Sequence, residues 1–189
     1  ADAPIGPTRV KAALLLGALD HLRRDETQLA RVLERLEPEV AHRVATVMLP
    51  MAWIELADYV ELLRAAEREL GTGDGAMALR IGRATAEREL TTTHRLFMQT
   101  ATPQMAVERI PQLFRTYHSS GRCVVQRGAA GGYRFELRAL VPDTLPHAMA
   151  LAGFYQRLLE MAGGRDVRGS VVSCRERGDE VTAVVLRWR

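Results

Sequence analysis

Long apolar runs, cysteine, lysine and aromatic residues are all scarce in this chain, and each scarcity closes off a class of protein. No apolar run approaches the ~20 residues that a bilayer span needs. "AALLLGAL" (Ala12 to Leu19) has the composition of a signal-peptide core. The helical pattern continues past it and no small-residue cleavage site follows, so the chain reads as cytoplasmic, with no membrane span. Two cysteines, Cys123 and Cys174, are too few and too far apart for a disulfide framework or a CxxC metal site. With His118 and His147 they would supply four metal ligands, but spacings of 5, 24 and 27 residues match no zinc knuckle. Both read as small buried strand residues, and no metal is expected.

Of the 26 basic residues 25 are arginine, which lifts the pI to about 9.2 while the net charge is only +3. Residues 1–120 carry 15 basic and 16 acidic groups, and residues 121–189 carry 11 and 7. That excess is dilute and lies in no nucleic-acid-binding motif, so no nucleic-acid partner is expected. "GTGDGAM" lacks the lysine and hydroxyl of a phosphate loop and follows a helix, so it reads as a turn between helices.

Helical periodicity fills the first two thirds. Thr8 is placed to cap a helix reaching about Arg24, and Thr27 to cap a second. Pro38 opens a third that ends near Pro50, and a long amphipathic helix then runs to Gly71. Asp74 precedes a helix from Gly75 to about Thr92 with room to continue to Met98. Pro103 starts another, with Met105, Val107, Ile110, Leu113, Phe114 and Tyr117 on its buried side.

At Gly121 the period changes to two. Cys123 and Val125, then Tyr133, Phe135, Leu137, Ala139 and Val141, alternate with polar residues across a turn at "RGAAGG". "PDTLPHAM" restarts a helix, capped by Asp143 or Thr144 and ending at Gly163 and Gly164. A second hairpin, turned at "RERGDE", closes the chain. The expected fold class is α+β: about six helices in residues 1–120, packed on a ββαββ antiparallel four-stranded sheet in residues 121–189. No linker or repeat separates the two portions, so 1–189 reads as a single domain.

Three stretches carry a resemblance: "VKAALLLGALDHL", "RIPQLFRTYHSSGRCVV" behind Pro103, and "FYQRLLEMAGGRDVRGSVVSCRERGDEVTAVVLRW". Together they resemble the myxobacterial paralogous domain family of unknown function, over nearly the whole chain. Thr182 and Ala183 stand where related chains often have a cysteine or an aromatic residue. More distantly the layout is similar to the superfamily of heme nitric-oxide-binding domains, four-vinyl-reductase-type domains, the aromatic-sensing domains of certain sigma-54 activators and a Golgi transport subunit. That resemblance implies a ligand held between the helical layer and the sheet. The heme sensors use a helical proximal histidine, for which His94 is the candidate, and a Tyr-x-Ser-x-Arg motif that holds the propionates. Here Tyr117, Ser119 and Arg122 match in type, with the arginine one position late.

Catalytic groupings are absent from the pattern. Ser119 and Ser120 beside His118 lack the nucleophile-elbow context, and Glu89 and His94, five apart on a presumed helix, do not share a face. The chain therefore reads as a non-enzymatic sensory or adaptor module of signalling or regulation, without a resident cofactor. It is expected to bind a small apolar or amphipathic ligand, a partner protein, or both. The expected ligand pocket is lined by Trp53, Tyr59, Phe97, Phe114, Tyr117, Phe154, Leu158 and Met161, with Met51 nearby. Broad apolar helix faces also suggest a homodimer. The alternatives are a heme-based gas sensor using His94 and an assembly domain with no ligand.

Overall fold

The computed structural model describes residues 6–128 and 132–189. Thr8 does not cap a helix. It is buried, its Oγ1 accepting from the Val141 amide at 3.0 Å and meeting Ser120 Oγ at 2.9 Å. The chain then enters a short strand, β1 (Arg9–Lys11), which pairs antiparallel with β2 (Trp53–Glu55). Helix α1 (Ala12–Leu22) takes its cap from the loop before β2: the Ala12 and Ala13 amides donate to the carbonyls of Ala52 and Pro50.

The second helix, α2 (Glu26–Glu34), is capped by Asp25 in place of Thr27, its carboxylate accepting from the Thr27 and Gln28 amides. Helix α3 (Pro38–Thr46) stops short of Pro50, and α4 (Leu56–Leu70) ends at Gly71 as expected. Helix α5 (Ala76–Thr91) does not continue to Met98. The chain breaks at Thr92 to His94 and resumes in the short α6 (Arg95–Met98). Helix α7 (Pro103–Tyr117) is capped by Thr102, with Met105 exposed on its first turn where burial was expected. The described residues of the first portion thus hold seven helices, one more than the pattern suggests.

The second portion is the expected ββαββ unit: β3 (Arg122–Arg127), β4 (Tyr133–Arg138), α8 (Leu145–Met161), β5 (Arg168–Ser173) and β6 (Thr182–Arg187). The sheet order is β3-β4-β6-β5, antiparallel throughout. Half of the expected first turn, residues 129–131, lies outside the described residues. Strand β4 ends at Arg138, because Ala139 adopts a positive φ of 56° and turns the chain; Ala139 and Val141 are not strand residues. Register places Cys123, Val125, Phe135, Leu137, Val184 and Leu186 on the inner face, against α8 and the core. In the closing turn Gly178 has φ 94°, and Asp179 accepts from the Cys174 amide at 2.7 Å. Glu176 accepts from the Leu145 amide at the start of α8 and pairs with Arg64 of α4. Among the described residues no helix is long and apolar enough to cross a membrane.

The two portions are locked where α5 crosses α8. A Cβ on Gly82 would land on the Ala150 carbonyl oxygen, and one on Gly153 on the Leu79 carbonyl oxygen, so only glycine permits this approach. Helix α1 reaches α5 by the same means, Gly17 lying against Thr85. Thr85 is buried and its hydroxyl has no hydrogen-bond partner. Thr85→Val keeps the shape and removes the unsatisfied group, so it should stabilise the fold by about 1 kcal/mol, read as a rise of a few degrees in melting temperature. A fall would show that the hydroxyl is satisfied by water.

Candidate site between the layers

Where α1, α7 and α8 meet, Leu14, Leu113, Phe114, Tyr117, His118, Leu151, Phe154 and Tyr155 surround a cavity of about 20 Å³. Helical spacing brings Leu113, Phe114 and Tyr117 from α7 against Leu151, Phe154 and Tyr155 from α8. A cavity of this size has room for about one water molecule, and small-molecule sites usually measure ~300–1,000 Å³.

Of the eight residues expected to line a pocket, Phe114, Tyr117 and Phe154 line this one, and Trp53 borders a separate open hollow of about 180 Å³ with Leu15, Val44 and Asp58. Tyr59 is buried edge-on to His147, and Leu158 is fully buried in the core. Met161 packs half-buried against the same core. Phe97 lies half-buried under the Arg109 guanidinium. Trp53 is 39% exposed on β2, with the Lys11 ammonium 3.8 Å above its ring. Met51 is exposed as well. Hydrophobicity identified these side chains but not which face of the helical layer each occupies, and Trp53 and Met51 are left at the surface.

Two polar groupings border the cavity. On one side the Tyr117 hydroxyl donates to Glu89 at 2.8 Å and meets His94 Nε2 at 3.0 Å. Glu89 and His94 would not share a face of an unbroken helix; the break after Thr91 folds His94 back onto Tyr117. Burial, then the neighbouring carboxylate of Glu89, holds the Tyr117 pKa well above its usual value, and burial lowers that of His94. Tyr117→Phe removes the donor to a buried carboxylate and should cost about 2 kcal/mol in urea denaturation. An unchanged midpoint would show that His94 or water replaces the bond.

On the other side His118 and His147 bring their Nε2 atoms to 3.0 Å, with His118 stacked on Phe114 at 4.0 Å between ring centres. His118 Nδ1 lies 2.9 Å from the Phe114 carbonyl, which can only accept, so that nitrogen carries the proton. The bare Nε2 of His118 then accepts from the Nε2–H of His147. Burial lowers the His118 pKa to about 4 and that of His147 well below the usual range. The sequence held no signal for this contact, whose members stand 29 residues apart, His118 just past the end of α7 and His147 on α8.

The arrangement offers no nucleophile matched to a base. Ser119 Oγ accepts from the Arg9 amide, and Ser120 is held by Thr8. Both cysteines are buried, and burial pushes the Cys123 thiol up to about 12. Among the described residues no group of three or more His, Cys, Asp or Glu side chains could hold a metal ion. Nor do the residues fit a porphyrin. Tyr117 points inward to Glu89, Ser119 binds the β1 backbone and Arg122 belongs to the outer face of the sheet, so the three do not converge. The cavity beside them is more than tenfold too small.

No family model matches the chain, and no curated protein matches it. Solved structures do. An H-NOX protein from S. oneidensis in the Fe(II)NO ligation state has a TM-score of 0.68 at 8% identity, covering 94% of this chain and 98% of that one. The Fe(II) unliganded H-NOX protein from K. algicida has a TM-score of 0.66 at 12% identity, with 95% and 96% covered. An oxygen-binding H-NOX domain related to soluble guanylate cyclases has a TM-score of 0.62 at 12% identity, covering 95% of each chain. At these identities the likeness is one of fold.

Proposed function

We propose that this chain is a non-catalytic sensory or adaptor module of signalling or regulation, built on the H-NOX fold and working without heme. The reading rests on the closed seam between the layers: eight side chains leave about 20 Å³ where a resident cofactor would need a preformed cleft. The similar structures are named for Fe(II), NO and oxygen ligation. Here the histidine and tyrosine that would serve heme are bonded to each other and to Glu89. A small apolar ligand enters only if Phe114, Phe154 and Tyr155 repack, so the module reads its signal through the packing of its layers. The resemblance of the terminal motif to the myxobacterial paralogous domains supports this reading, which takes the module to work in the cytoplasm. Pairing of two copies through the helical layer belongs to the same reading; sedimentation at micromolar concentration tests it, and a clean monomer removes it.

The decisive experiment is titration of the purified protein with hemin under reducing conditions, followed by absorption and native mass spectrometry. The expected result is no stoichiometric complex and no Soret band that depends on His94. A one-to-one complex whose band is lost in His94→Ala would sink the heme-free reading.

A further inference from the structure

Among the described residues most positions on the outer face of the sheet are exposed or half-buried, and the arginine excess of residues 121–189 gathers there. Register sets Arg122 opposite Arg138 at one end of that face and Arg168 opposite Arg187 at the other, with Arg134 between them. The acidic strand residue among them is Glu136, which accepts from both Arg134 and Arg138. Like charges directly opposite each other on neighbouring strands destabilise a sheet. Among the described residues neither Arg168 nor Arg187 has an ion-pair partner, so the fold does not offset that repulsion. Between the charged ends lies a low valine strip, Val124 and Val185 half-buried on either side of β4 and Val172 exposed at the β5 bulge. Open grooves flank the strip, one of about 470 Å³ beside Arg138 and one of about 590 Å³ beside Arg187.

We infer that this face docks an acidic segment of a partner protein, the arginines at either end taking its carboxylates and the valine strip its apolar side chains. The inference rests on the adaptor reading and supplies its partner class. Charge complementarity selects the occupant. A second copy docking by the same face would set arginine against arginine. Single-stranded nucleic acid requires aromatic platforms, and the outward strand positions carry none. Arginine forks suit carboxylates, and an apolar centre with an arginine rim is the composition of a protein interface.

The test compares three probes on the full chain: a labelled peptide of alternating glutamate and valine, a short DNA duplex, and phosphatidylserine vesicles. The peptide is expected to bind most tightly, and more weakly as salt rises. Arg168→Glu/Arg187→Glu should weaken it about tenfold or more. Arg24→Glu/Arg115→Glu, which changes net charge equally at exposed positions of the helical portion, one in the turn after α1 and one on α7, should leave it unchanged. Arg168→Glu alone sets opposite charges across the strands, so it should weaken the peptide while keeping or raising the melting temperature. Equal losses in the two double variants would overturn the assignment, as would tighter binding of duplex or vesicles through the same arginines. Failure here with no heme bound leaves the heme-free reading intact; heme uptake with peptide binding retained removes that reading alone.

Discussion

Gly82→Ala should lower the stability of the folded chain by about 3 kcal/mol or more, among the largest effects of any single methyl group in this protein. Ordinary overpacking is relieved when a flexible side chain moves aside. The Cβ of an alanine here would meet the carbonyl oxygen of Ala150, which belongs to the backbone of α8, so the helices themselves must separate. Gly153 has the reciprocal relation to Leu79, and Gly153→Ala should cost a similar amount. The two losses should be far from additive, because once the axes part the second methyl meets less resistance. Urea midpoints of the wild type, both single variants and the double variant test this. Single losses below 1 kcal/mol would mean that the contact is looser than described.

Acid should destabilise the chain well before its carboxylates titrate. The unfolded chain protonates His118 near pH 6.5, whereas the folded chain holds it neutral down to about pH 4. The folded-state value is the lower one, so the contribution is full above pH 6.5 and is lost as the pH falls from there to about 4. The slope is about 1.4 kcal/mol per pH unit for one histidine, or roughly 3 kcal/mol across the window. His147 adds in the same direction, and burial also lowers His94 and His21. The nearest titratable group to His147 is His118, and burial dominates both, so no neighbouring carboxylate offsets the loss. Urea denaturation from pH 7.5 to 5 measures it. A flat profile between 6.5 and 5 would mean that the pair is already hydrated or protonated.

The parts that proved legible were those whose signal is local. Alternation in Tyr133 to Leu137 marked β4 and its dry face, and the stripe Leu151, Phe154 and Leu158 marked the buried side of α8. Strands β1 and β2 were missed because three residues each are too few for a period to show. The break before His94 did have a signal: three consecutive threonines stiff at χ1 and prone to bond back to the preceding turn, as Thr91 and Thr92 do. Gly82 and Gly153 were also readable, since a glycine inside a helix costs about 1 kcal/mol and calls for a packing reason. The His118–His147 contact was not, because the fold alone brings them together. Reasoning from residue type found the rings of the seam, but it could not show that they fill it.

The strand order has a consequence for how the chain is made. Strand β6 lies between β4 and β5, so β4 gains its second neighbour only after α8 and β5 have left the ribosome. Until Thr182 emerges, Phe135 and Leu137 sit on a strand with one open edge, the state in which sheet proteins pair with the wrong partner. A nascent chain stalled in the Gly163 to Val167 connection is therefore the species most in need of a chaperone, and the long fragment ending there should precipitate alone and recover only when mixed with the β5–β6 fragment.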